Sequence, residues 1–251
     1  MNYHWDWGIF LAPEPGGTGT YLHYLIVGLG WTLATALAAW VIALAIGSIV
    51  RTLRTTPKPW VVRLGNAYVE IFRNVPLIVQ MFLWFFVMPE LLPKALGDWV
   101  KQVPPPWGSY IPAVLCLGIY TSVRVAEQVR AGINSLSRGQ GMAGTALGLT
   151  LWQTYRYVLL PMAFRIVMPT LTSEFMNVIK NSSVALTIGL LELTGRARAM
   201  QEFSFKVFEA FAAATVIYLI TNLIVVMGMR ALEKKVRVPG FIGPAPSAAA
   251  H

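Results

Sequence analysis

Ionisable side chains recur at steps of three inside segments that are otherwise apolar. Glu70 and Arg73 form one pair, Arg124, Glu127 and Arg130 a triplet, and Glu174, Asn177 and Lys180 a third polar stripe. At this spacing the members of each set share one face of a helix. A charge in hydrocarbon is costly unless it is paired or faces water or protein. For Glu70, Arg124, Glu127 and Arg130 two readings fit equally: side chains reaching back to a membrane surface, or a lining role. For Arg73, Asn74, Gln80, Glu174, Asn177, Lys180 and Asn181 the preferred reading is a path between helices for a polar solute. Pro76 lies in the first of these segments, where it frees a backbone carbonyl that a neighbour or a ligand must satisfy.

The chemistry expected is recognition and passage, not bond making. Cys116 is the only cysteine, and His4, His23 and His251 are far apart, so neither a disulfide within the chain nor a zinc motif can be written. Nucleophile and base pairs, paired catalytic carboxylates and a GxxxxGK[ST] phosphate loop are not found in the sequence, so ATP cannot be held here in the P-loop manner.

The elements that must position these residues are membrane spans. Of 251 residues 56% are apolar and 12% charged, where an ordinary soluble domain has about 25% charged. Asp, Glu, Lys and Arg are missing altogether from Pro15 to Val50 and from Ala210 to Met229. That excludes a soluble globe, a disordered chain and a fibrous repeat. Hydropathy predicts an all-α integral membrane protein with five spans, at about Tyr21 to Val50, Leu64 to Met88, Tyr110 to Asn134, Phe164 to Leu186 and Val207 to Met229. The net charge of +9 reads as topology, not as a nucleic-acid signal. Eleven of the 20 Lys and Arg residues fall on one side, in the segments after spans one and three and at the C-terminal end with Arg237, against five on the other. Positive loops stay in the cytoplasm, so the N-terminus is expected outside and the C-terminus inside. The expected organisation is an outer segment 1–20, a membrane domain 21–232 and a cytoplasmic tail 233–251. No cleaved signal peptide is expected, because the first residues carry no positive charge. The outer loop from Pro89 to Ser109, with Trp99, Trp107 and three consecutive prolines, is expected to be extended or interfacial.

The cytoplasmic loop between spans three and four, about 135–163, reads as two short helices around a turn. Gly148 suits a left-handed C-terminal cap, and Thr150 with Gln153 forms a capping box. Leu151, Trp152, Tyr155 and Val158 then make an apolar face, which either lies on the membrane surface or meets a cytoplasmic partner. Here the sequence resembles the integral-membrane subunits of ABC importers, whose loop carries Glu-Ala-Ala, three residues, Gly, nine residues and Ile-x-Leu-Pro. Ala143, Gly148, Val158, Leu160 and Pro161 stand at the matching spacing, while Met142 replaces the Glu and Gly144 the second Ala. Phe72-Arg73-Asn74-Val75-Pro76-Leu77-Ile78-Val79-Gln80 is similar to the Phe-Arg-x-x-Pro-Leu-x-x-Gln element of polar amino acid permeases, and Ile179-Lys180-Asn181-Ser182-Ser183 to their Lys-x-Ser/Thr-Ser element. The pattern over nearly the whole chain is nearest to permeases of the glutamate/aspartate type.

The resemblance implies a coupling loop with Arg138, Gly139, Met142, Ala143, Gly144, Gly148, Thr150, Val158, Leu160 and Pro161, seated on an ATPase, and a relay through Arg124, Glu127 and Arg130. It implies two ATPase subunits that bind the ATP and Mg, a second homologous permease, a periplasmic solute-binding protein and an amino acid substrate, in a bacterial inner membrane. An ATP-independent channel or ion-coupled carrier is the alternative, against which the loop signature counts.

Overall fold

The computed structural model describes residues 3–17, 19–54, 58–136 and 138–236. Arg237 and all but the start of the expected tail 233–251 lie outside the described residues. Among them the chain is helical, with a single isolated bridge between Pro13 and Thr20. In chain order the helices are α1 (Tyr21–Leu53), α2 (Pro59–Asn74), α3 (Leu77–Leu91), α4 (Lys94–Lys101), α5 (Trp107–Asn134), α6 (Arg138–Ala146), α7 (Leu151–Ile188), α8 (Leu193–Ser204) and α9 (Val207–Val236). Four of these, α1, α5, α7 and α9, are long and apolar enough to cross a membrane, and α2 with α3 forms a bent pair that makes up to five.

α1 begins where the Thr20 hydroxyl accepts the His23 N–H. It is apolar all round, as a helix buried in lipid and protein must be. Its small residues Ala36, Ala39, Ala43 and Gly47 are buried against α5. A methyl group on Gly47 would sit 2.7 Å from the Ser122 carbonyl oxygen, and one on Gly118 2.7 Å from Ile42. Small residues at such crossings let two backbones approach closely. Around this pair lies the central core, where Met81 of α3, Leu117 of α5 and Phe175, Val178 and Ile179 of α7 meet.

Three elements depart from expectation. The second span is not one helix. It bends by 105° at Val75 and Pro76, because Val75 takes extended backbone (φ −96°, ψ 127°), the conformation that a following proline favours. The second loop helix is not a separate short element either. Its capping box starts α7, which runs through a π-helical turn at Tyr155–Leu159 into the fourth span and ends in a tightened 3-10 stretch, Ser182–Ile188. Within the loop from Pro89 to Ser109 the chain forms α4, tied back by an ion pair of 2.6 Å between Lys101 and Glu90.

α8 rests on a buried carboxylate. Glu192 is 0% exposed. Its Oε1 accepts the Gly195 N–H at 2.8 Å and caps α8, while Oε2 accepts the hydroxyls of Thr32 at 3.1 Å and Tyr218 at 2.9 Å. One side chain thus joins α1, α8 and α9. Burial raises its proton affinity above the ordinary carboxylate value, and the donated hydrogen bonds oppose that rise. At the same end of the molecule Glu209 of α9, also 0% exposed, accepts the Tyr3 hydroxyl and the Asp6 N–H and so holds the N-terminal segment. Glu192→Ala should lower stability by about 2–4 kcal/mol, since three donors lose their acceptor. Glu192→Gln should cost less, because the amide oxygen can keep the Gly195 N–H and the amide NH2 can turn to the Thr32 and Tyr218 hydroxyls. Thermal unfolding of the purified protein in detergent checks both.

Candidate functional site

On α5, Tyr120, Val123, Arg124, Glu127 and Gln128 follow the i, i+3, i+4, i+7, i+8 pattern and therefore form one stripe. That stripe faces the C-terminal turn of α2 and the middle of α7. Together with Phe72, Arg73 and Glu174 it encloses a cavity of about 360 Å³, the size of a small-molecule site. Four charged side chains, Arg73, Arg124, Glu127 and Glu174, line it. Arg124 Nη1 lies 3.6 Å from Glu174 Oε2, too far for a hydrogen bond, and that buried oxygen has no donor. The same guanidinium donates to the Tyr120 hydroxyl at 3.1 Å. Glu127 is turned toward the end of α1, where its carboxylate meets Arg54 at 2.5 Å, and toward Arg130 at 3.6 Å. Arg54 also donates to Asn66 at 2.8 Å. Arg73 is exposed, and no ion pair or hydrogen bond within the described residues engages its side chain.

The structure thus brings together Arg73, Arg124, Glu127 and Glu174 from three separate stripes. Three of the other expected path residues have local tasks. Asn74 donates back to the Glu70 carbonyl at 2.7 Å. Pro76 precedes the first turn of α3. Gln80 is 2% exposed, and its amide donates to the carbonyls of Phe72 and Val75, each at 3.0 Å. It serves the acceptors left open where the span breaks. Asn177, Lys180 and Asn181 follow on α7 but do not line the cavity; Lys180 is exposed. Tyr120, Gln128 and Arg54 were missed as site residues. The first two were accessible by stepping four residues from Arg124, whereas Arg54 needed the packing of α1 on α5.

At the opposite end from the N-terminal segment, α6 carries Arg138, Gly139, Met142 and Ala143. It ends in a left-handed cap: Gly148 has φ +77°, its N–H donates to Thr145, and the Leu149 N–H to Gly144, both at 3.0 Å. The Thr150 and Gln153 box then opens α7. Gly144 is buried on Thr154, where a methyl group would lie 2.8 Å from Cγ2; the glycine lets α6 close on α7. Met142 is 68% exposed and Leu147 81%, and Leu151, Trp152 and Tyr157 are exposed beside them. Val158 and Leu160 are half-buried, and Pro161 is exposed.

The chain thus combines a bent span, a charged cavity and an apolar helical tip. Residues 43–238 match the family described as "Binding-protein-dependent transport system inner membrane component", and the chain belongs to that family. The glutamate/aspartate import permease protein GltJ of Escherichia coli (strain K12) is 47% identical over 244 residues, covering 97% of this chain and 99% of its own. The glutamine transport system permease protein GlnP of the same strain is 31% identical, covering 85% of this chain and 93% of its own. Among solved structures, an amino acid ABC transporter with histidines matches at a TM-score of 0.72 and 27% identity, over 86% of this chain and 95% of its own. The methionine ABC transporter MetNI matches in fold at 0.69 and 19% identity, over 86% and 98%. The chain is therefore an ABC permease, a transport component of the membrane. Gln80→Leu should lower its stability by about 2–3 kcal/mol, because two carbonyls at the break lose their donor. The thermal midpoint in detergent should fall accordingly.

Proposed function

We propose that this chain is one of two permease subunits in a bacterial inner-membrane importer that moves glutamate or aspartate by alternating access. The observation that carries the reading is the charge inventory of the cavity. Glu127 is engaged by Arg54 and Arg130, and Arg124 faces Glu174. Arg73 is left as a surplus cation. An acidic amino acid at neutral pH has one ammonium and two carboxylates, a net charge of −1. Its ammonium would turn to the donor-free oxygen of Glu174 and its carboxylates to Arg124 and Arg73. Asn177, Lys180 and Asn181 would continue the path along α7 toward the second permease. The 47% identity to a glutamate/aspartate permease supports the same substrate class.

The N-terminus would lie outside and the C-terminus inside, which puts segment 1–20 in the periplasm and the loop 135–163 in the cytoplasm. There the exposed apolar tip of α6 and the start of α7 would seat in one of two ATPase subunits. Those subunits would hold the ATP and Mg that drive the cycle, and a periplasmic solute-binding protein would deliver the substrate. Met142 stands where the resembling loops have a Glu, so this docking would rest on apolar contact. α7 is continuous from the loop to the cavity, and a push on the loop would travel along it to Glu174 through the π-helical turn at Tyr155–Leu159. Arg124, Glu127 and Arg130 would pass the same movement to α1 through Arg54.

In the reconstituted complex, Arg73→Gln should raise the KM for aspartate about tenfold while the subunit ratio stays intact. An unchanged KM would remove Arg73 from the substrate site. Gly148→Pro is incompatible with φ +77° and deletes the N–H to Thr145. It should strip the ATPase from the purified complex, and retention of the full ratio would contradict docking through this loop.

A further inference from the structure

Among the described residues the buried cation is Arg51, in the last turn of α1, and it does not line the cavity. It is 8% exposed, and its Nε is enclosed with no hydrogen-bond partner. The charges within electrostatic reach of it are those of Arg54 and Arg130, the carboxylate of Glu127 and the Tyr155 hydroxyl group. Glu127 does not close on it, since its two oxygens go to Arg54 and Arg130. Three guanidinium groups therefore share one carboxylate. Arginine does not escape such a site by losing its proton, and a buried cation without a counter-ion is strongly destabilising. The balance calls for an anion.

The surroundings narrow its chemistry. The planar fork of a guanidinium matches the oxygens of a phosphate. Arg51, Arg54 and Arg130 do not line the cavity, and Glu127 stands between the two places, so a substrate carboxylate in the cavity does not serve them. The cluster lies where the apolar run of α1 ends. On α2, whose Gly65 packs on the Arg54 side chain, Trp60 and Leu64 are exposed, apolar side chains along which the acyl chains of a lipid can run. Basic pockets between spans at this depth suit anionic head groups.

We infer that Arg51, Arg54 and Arg130 form a binding site for a phosphate group, supplied by an anionic lipid head group or by free phosphate. The inference takes from the proposed function only the orientation, which puts the site in the inner leaflet; it is independent of the substrate. An occupied site would fix the end of α1 to α5 through Glu127, beside the cavity wall that must move.

The test uses the purified complex in nanodiscs of phosphatidylcholine, with and without phosphatidylglycerol. Native mass spectrometry reads the lipid retained, and thermal unfolding reads the stabilisation. The wild type should retain phosphatidylglycerol and unfold at a higher temperature with it. Arg51→Gln should lose both effects, and Arg51→Lys, which keeps the charge but not the fork, should fall between. Inorganic phosphate that stabilises the phosphatidylcholine discs equally would identify free phosphate as the source and uphold the site. If Arg51→Gln does not fold, Arg130→Gln at the half-exposed rim should weaken phosphatidylglycerol retention about fivefold. Lys101→Gln, at the other end of the molecule, should retain it as the wild type does. Unchanged retention in the Arg51 and Arg130 variants overturns the inference. So does loss of the ATPase from Arg51→Gln with no lipid or phosphate effect, because a protein carboxylate would then be the counter-ion. A complex that carries some other solute would give the same lipid results, so the two readings fail separately.

Discussion

The whole structure is governed by one constraint: a polar group placed among apolar helices must find a partner. Most of the buried polar groups obey it through long-range contacts. Glu192 collects donors from α1, α8 and α9, and Glu209 draws the N-terminal segment onto α9. These carboxylates assemble the molecule at one end without lining the cavity between α2, α5 and α7. Six buried side-chain atoms among the described residues lack a partner, on Arg51, Gln80, Gln140, Thr154, Glu174 and Asn222, and two of them belong to charged groups. They are Glu174 Oε2, which lacks a donor inside the cavity, and Arg51 Nε, which lacks an acceptor at the end of α1. In a medium that penalises unmet polar groups, such positions are where solutes and head groups are expected.

The same constraint explains the shape of the second span. Pro76 removes a donor and turns the chain, and the opened carbonyls are met by Gln80 from the following helix. The bend of 105° brings the end of α2, with Phe72 and Arg73, against the α5 stripe. A straight helix would have carried Arg73 past it. Glycine acts in the opposite sense at the other end: Gly144 and Gly148 let α6 fold back on α7 and present Met142, Leu147 and Trp152 outward.

Much of this was legible in sequence because it depends on local period. The apolar runs located the spans, and the turn at Gly148 and the Thr150 box needed only neighbouring residues. Steps of three put Arg124 and Glu127 on one face, and the cavity uses that face. What could not be read depends on tertiary partners. The hydrogen bonds of Gln80 and Asn74 to nearby carbonyls depend on the broken backbone beside them. The role of Glu192 is not visible locally, since Thr32 and Tyr218 are remote in sequence. The merger of the second loop helix with the fourth span was hidden because a capping box marks a start but not an end.

The central claim is that the cavity between α2, α5 and α7 holds the substrate through the groups its fold leaves unmet. The most direct measurement is a structure of the reconstituted complex trapped with aspartate. The account predicts aspartate in the cavity, with its ammonium at Glu174 and its carboxylates at Arg124 and Arg73. Aspartate held along Lys180 and Asn177 with Arg124 and Glu174 uninvolved would contradict it.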